Sequence, residues 1–343
     1  MSLPDRDRRL PGIDTLKGLA CLLIVWHHLA FYGPMSDVVH RHAPWLTSWL
    51  YDYGRMAVQV FLVVGGFLAA ASLAPLGVAR FSQPGRLIVQ RYRRLLPPYL
   101  VAIAMSVLVA AWVRPWFDHA SVPAAPTLLQ AAAHALLLQD LFGLGMALLL
   151  SIGAASLLVF NRHGALDSTA LYFVGSYALG MLAFWASSGW RNRRISGIDG
   201  AWSGTVGWLP GVLVMAAVGA LALWVDFRAR IAVAVVVAFG LVALGALAAQ
   251  RHASGVRGHG FWQAAVMRCG LVRVGQMAYS IFLIHFPVCL LVNALVSLWW
   301  PGQLLANVLG LLAAFSLSLL AGGVLYRQVE TRTFLRSATP APA

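Results

Sequence analysis

Apolar runs alternate with short polar segments along the whole chain, and most runs reach the roughly 18 residues that cross a bilayer as a helix. Arginine, glycine and proline gather in the segments between them. This pattern predicts spans at 14–33, 56–74, 96–113, 127–142, 144–160, 170–187, 209–225, 230–248, 276–298 and 303–326. Residues 127–160 form nearly one apolar block, broken by His134, Gln139, Asp140 and the glycines of FGLG. Counting it as two spans puts Arg191, Arg193 and Arg194 on the same side as Arg6, Arg8, Arg9, the Arg80–Arg94 cluster, Arg251, Arg257, Arg332 and Arg336. That count obeys the positive-inside rule better than a single span. The expectation is an all-α, polytopic transmembrane bundle of about ten spans with both termini cytoplasmic. Residues 1–336 form one transmembrane domain, and the tail 337–343 is disordered. The larger polar stretches are 34–55 outside, and 188–208 and 249–274 inside.

Composition agrees. Of 343 residues, 60% are hydrophobic and 10% charged, against about a quarter charged in soluble domains. The formal charge of +14 lies between apolar runs rather than as a stripe on a polar domain, which argues against a nucleic-acid partner. Cys21, Cys269 and Cys289 show no paired spacing, so neither a disulfide framework nor a metal site is expected. The histidines at 40, 42, 119, 163, 252 and 259 read as loop residues, not metal ligands. The polar start runs into a first span without a small-residue cleavage site and reads as a retained helix.

The first span, DTLKGLACLLIVWHH at 14–28, raises the chemical question. It holds Asp14, Lys17 (the only lysine of the chain), His27 and His28. Eleven residues rotate a helix by about 1,100°, three turns plus about 20°, so Lys17 and His28 share a face about 16 Å apart along the axis. Asp14 lies near that face, and His27 points about 100° away. Ionisable groups within spans cost about 2.5–3.5 kcal/mol each on insertion scales and often mark pathways or sites. A snorkelling Lys17 and a packed, interfacial His28 are the plain alternatives.

Several stretches carry a resemblance. IDTLKGLACLLIVWHHL resembles the first span of the acyltransferase type 3 family, where an Arg, ten residues and a His stand within a stretch like LDGLRG. Here Lys17 stands in the arginine position, ten residues before His28. GRMAVQVFLVVGGFLAA at 54–70 resembles the second span, with Gln59 in place of an acid and Gly65 in place of a serine. RYRRLLPPYL at 91–100 resembles the entry to the third, with Arg91 and Arg94 spaced as in the family's RxxR. YSIFLIHFPV at 279–288 and YRQVETRTFL at 326–335 resemble two later stretches. The Trp–Ser–Leu…Glu element that many members carry at the fifth span is missing between 141 and 160.

The resemblance implies an integral membrane O-acyltransferase of the bacterial cytoplasmic (inner) membrane. It would move an acyl group, acetyl by preference, from a cytoplasmic acyl-CoA to a hydroxyl of a cell-envelope sugar or glycoconjugate. Acetyl-CoA or another acyl-CoA is then a donor substrate, and no permanently bound cofactor is implied. On this reading His28 is the general base, Lys17 and Asp14 complete the catalytic set, and Arg91 and Arg94 hold donor phosphates. His285, with Ser280 about a turn and a half away, lines the same cavity as His28 and binds substrate. The plain alternatives are topogenic arginines, and a His285 that fills a kink at Pro287. Two other readings of the whole chain stay open: a transporter or flippase for a lipid-linked sugar or small molecule, and a family member without activity.

Overall fold

The computed structural model describes residues 11–31, 33–73, 84–125, 153–160, 170–188, 209–253 and 270–332. Among them there is no strand. The helices are α1 (Pro11–Phe31), α2 (Pro34–His40), α3 (Pro44–Tyr53), α4 (Ala57–Leu73), α5 (Pro84–Val113), α6 (Ala170–Ser188), α7 (Leu209–Val225), α8 (Ala229–Ala253), α9 (Gly270–Gln276), α10 (Ala278–Trp299) and α11 (Leu304–Leu325). A 3₁₀ turn, Gly54–Met56, joins α3 to α4, and a π turn, Tyr326–Glu330, follows α11.

Among the described residues, six helical stretches are long and apolar enough to cross a membrane: Pro11–Phe31, Pro44–Leu73, Val89–Val113, Ala229–Leu247, Ala278–Trp299 and Leu304–Glu330. The chain is a multi-pass membrane protein. A shorter apolar helix fills Leu209–Val225. The expected spans at 127–142 and 144–160 fall largely outside the described residues, as do His134, Gln139, Asp140, the arginines at 191–194 and the tail.

Two segments differ from the sequence expectation. The polar stretch 34–55, whose histidine at 40 was expected in a loop, contains two helices. Proline stands at the first position of each, where its missing N–H is no loss. His40 therefore closes α2 rather than sitting in a loop. The third span is also longer than its apolar run, since α5 begins at Pro84 and carries Arg91 and Arg94 within it.

The chain divides into two compact units. One comprises Met1–Lys17, Val58–Ser82 and Gly143–Val272; the other comprises Gly18–Ala57, Gln83–Phe142 and Arg273–Ala343. In the first, α4 and α6 meet backbone to backbone. A Cβ built on Gly66 would stand 1.9 Å from Tyr177 O, and one on Gly180 would stand 1.9 Å from Val63 O. Small residues that let two helices close this far are how membrane bundles gain packing without a hydrophobic drive between helices. Beside that crossing, Ser176 donates its hydroxyl hydrogen to Gln59 Oε1, both residues buried.

In the second unit α1 and α10 run parallel at a near-constant sequence offset. Cys21 Sγ reaches Ala278 O at 3.8 Å, and His28 meets His285, both pairs 257 residues apart. Met35 N donates to Asn293 Oδ1 at 3.2 Å with an offset of 258. The turn that aims Met35 there passes through Gly33 at φ 103, a region that L side chains rarely adopt, with Asn293 filling the space a Cβ would need. Helix α5 is parallel to α10 as well: Ala102 packs with Ile284, while Ala110 and Val113 pack with Leu290 and Ala294. Helix α11 returns antiparallel, Gly322 lying against Ile281 and Gly310 against Val296. Arg91, Arg93 and Arg94 thus lie towards one end of this unit. Trp112 with Trp116 and Trp299 with Trp300 lie at the other.

Candidate functional site

His28 and His285 face each other across α1 and α10. Their rings are 4.6 Å apart between centroids, and His285 Nε2 is 3.1 Å from His28 Nδ1. Each Nδ1 also reaches a carbonyl of its own helix: His28 to Ile24 O at 2.9 Å, and His285 to Phe282 O at 2.6 Å. Pro287 has no N–H to offer Leu283 O, so the ladder of α10 is interrupted beside His285. His285 is buried, whereas His28 keeps part of its surface open. His27 differs from its neighbour: it is buried and its Nδ1–H donates to Leu50 O at 3.0 Å, tying α1 to α3.

Asp14 and Lys17 lie in the part of α1 that belongs to the first unit. They form an ion pair at 3.3 Å, with side chains 14% and 26% exposed. The carboxylate in the first turn also suits the positive end of the helix dipole. Arg91 and Arg94 are exposed on α5, three residues apart and therefore on one face. Both suit an anion that approaches from that end, because a guanidinium offers a planar fork to phosphate.

Ser280 is placed away from the histidine pair. Five residues turn a helix by about 500°, which leaves Ser280 about 140° around α10 from His285. Its hydroxyl is fully buried and donates to Glu330 Oε2 at 2.6 Å. Glu330 closes the π turn after α11, and such turns recur at functional sites. Sequence reading named Ser280 but not its partner. The signal was present, since Glu330 is the only glutamate of the chain and stands within YRQVETRTFL. Asn293 was also passed over, because a lone amide in an apolar run gives no periodic signal.

The family model described as an acyltransferase domain matches residues 10–136. Over that segment, a little over a third of the chain, the sequence is similar to the acyltransferase type 3 family. No curated protein matches the chain, and no solved structure does. Members of that family are acyltransferases, in line with the class expected from the sequence, transfer of groups other than amino-acyl groups. The matched segment contains Asp14, Lys17, His28, Arg91 and Arg94. Ser280, His285 and Glu330 lie beyond its end. The fold therefore sets against His28 of the matched segment a histidine that the family match does not reach.

Proposed function

We propose that the protein is an O-acyltransferase of the bacterial inner membrane, taking acetyl or a similar short acyl group from cytoplasmic acyl-CoA. The acceptor is a hydroxyl of a cell-envelope sugar or glycoconjugate. The observation that carries this reading is the pairing of a partly open His28 on α1 with a buried His285 on α10. A histidine held by hydrogen bonds and only partly buried has the form of a general base.

The chemistry balances without a further reactant. His28 takes the acceptor hydroxyl's proton as that oxygen attacks the thioester carbonyl. The C–S bond breaks, and the CoA sulfur leaves with the proton returned from His28. Arg91 and Arg94 supply cationic forks for the donor's phosphates at the arginine-bearing end of α5. Placing that end on the cytoplasmic side accords with the positive-inside rule, and the tryptophans at the opposite end accord with an interfacial aromatic belt. Lys17 takes the place of the family's arginine and contributes positive charge, which Asp14 balances. Ser280 and His285 were expected to bind substrate in the same cavity as His28. In this proposal Ser280 instead braces the helix ends through Glu330, and His285 acts on His28.

The test is acceptor-dependent release of CoA thiol from acetyl-CoA by the protein in nanodiscs, with wild type and His28→Ala compared. Release by wild type and its loss in the variant support the proposal. Transport of a lipid-linked sugar that needs His28 but never yields acyl product would replace it with the transporter reading. Acetyl-CoA binding without turnover, across a broad panel of envelope acceptors, would favour a non-catalytic member.

A further inference from the structure

We infer that His285 is a positioning residue that holds the Nδ1 proton of His28, so that His28 presents a bare Nε2 to the acceptor hydroxyl. This rests on the proposal that His28 is the base. The inference follows from which atoms can only accept. Phe282 O, 2.6 Å from His285 Nδ1, has no proton to give, so that nitrogen carries the hydrogen. In a neutral ring the other nitrogen, His285 Nε2, is then a lone pair. Ile24 O, 2.9 Å from His28 Nδ1, is likewise acceptor-only.

Two acceptors therefore converge on His28 Nδ1, and the geometry is satisfied when that nitrogen is protonated. A bare Nδ1 would set lone pairs against one another inside a low-dielectric span, where an unmade hydrogen bond is expensive. Doubly protonating His285 instead would supply a hydrogen to His28 Nδ1. It would still leave Ile24 O facing a lone pair, and would bury a cation in the span. The neutral chain from Phe282 O through His285 to His28 avoids both, and it leaves Nε2 of His28 unprotonated.

The same chain serves the next step. When Nε2 accepts the hydroxyl proton, His28 becomes an imidazolium. Its Nδ1–H then donates to the lone pair of His285 in a charge-assisted bond, stronger than the neutral one it replaces. His285 thus acts as the third group that orients a base and supports its charged form, a role a carboxylate fills in other sites. Its own orientation is set by Phe282 O, one turn back, and by burial.

The experiment has a spectroscopic arm and a kinetic arm, both on the full chain in nanodiscs. Nitrogen-15 spectra of histidine-labelled protein, assigned with His28 and His285 variants, should show His28 protonated at Nδ1 and bare at Nε2. A proton on Nε2 of His28 overturns the inference. In the kinetic arm, His285→Phe keeps a ring but removes the acceptor, and kcat should fall about 100-fold, the low end of what a positioned base contributes. KM for both substrates should hold, and His285→Gln, whose amide oxygen can accept, should recover most of the loss. Wild-type kcat in His285→Phe, or equal losses in the Phe and Gln variants, overturns it. If His28→Ala is inactive while His285→Phe is not, this inference alone fails. If His28→Ala still turns over, the base proposal fails with it.

Discussion

Ser280 Oγ and Glu330 Oε2 stand 2.6 Å apart, joining the start of α10 to the π turn that ends the membrane helices. Both residues are buried, and Val329 beside the carboxylate packs with Ala102, Ile284 and Leu325. Glu330→Ala should lower stability by about 1–3 kcal/mol, because the buried hydroxyl loses its acceptor. Glu330→Gln keeps an acceptor oxygen and should lose less. Thermal unfolding in detergent separates the two. Equal losses would mean that the hydrogen bond is not what the carboxylate contributes.

Adjacent histidines should part company. His27 Nδ1 bonds Leu50 O, and its Cβ lies against Gly54. His27→Phe removes the donor and should cost about 1 kcal/mol of stability while thiol release stays near wild type. His28→Ala should do the reverse, losing release with little change in unfolding temperature. Loss of activity in a stable His27→Phe protein would bring His27 into the site.

The close crossing of α4 and α6 should tolerate no side chain. Gly66→Ala and Gly180→Ala each force backbone apart, since the new Cβ would meet a carbonyl oxygen at 1.9 Å. Each should cost at least about 1–3 kcal/mol and lower the yield of monodisperse protein in size-exclusion chromatography. Gly240→Ala is the control. Nothing lies within 4 Å of its Cβ position, so better helix propensity should leave the protein unharmed or up to about 1 kcal/mol more stable.

Arg91→Gln and Arg94→Gln should weaken the donor selectively. Loss of one charge-assisted phosphate contact corresponds to about a tenfold rise in KM for acyl-CoA, with acceptor KM unchanged. Lys17→Ala removes a partly exposed ion pair worth at most about 1 kcal/mol, so its unfolding temperature should barely move. A fall in turnover in that variant would then report chemistry rather than folding. Steady-state kinetics with each substrate varied in turn decides these cases.

The one-dimensional pattern determined much of the architecture. The apolar run expected at 209–225 is the helix Leu209–Val225, and those at 276–298 and 303–326 match Ala278–Trp299 and Leu304–Leu325 within two residues. A bilayer-length apolar run ended by Pro, Gly or charge has few other ways to satisfy its backbone. The pattern did not show the helices within 34–55: α2 is too short for a span, and α3 begins at Pro44 and runs on into the stretch Pro44–Leu73. The candidate residues were legible by type: His28, His285, Ser280, Arg91 and Arg94 stood out because polar groups in or beside spans are few. Their pairing was not legible. His28 and His285 are 257 residues apart and Ser280 and Glu330 are 50 apart, and no periodicity within one helix names its partner on another. Contact and atom-level direction come from helix register. Packing of small residues such as Gly322 against Ile281, and the clamp of Asn293 on Met35, set that register only when the helices assemble.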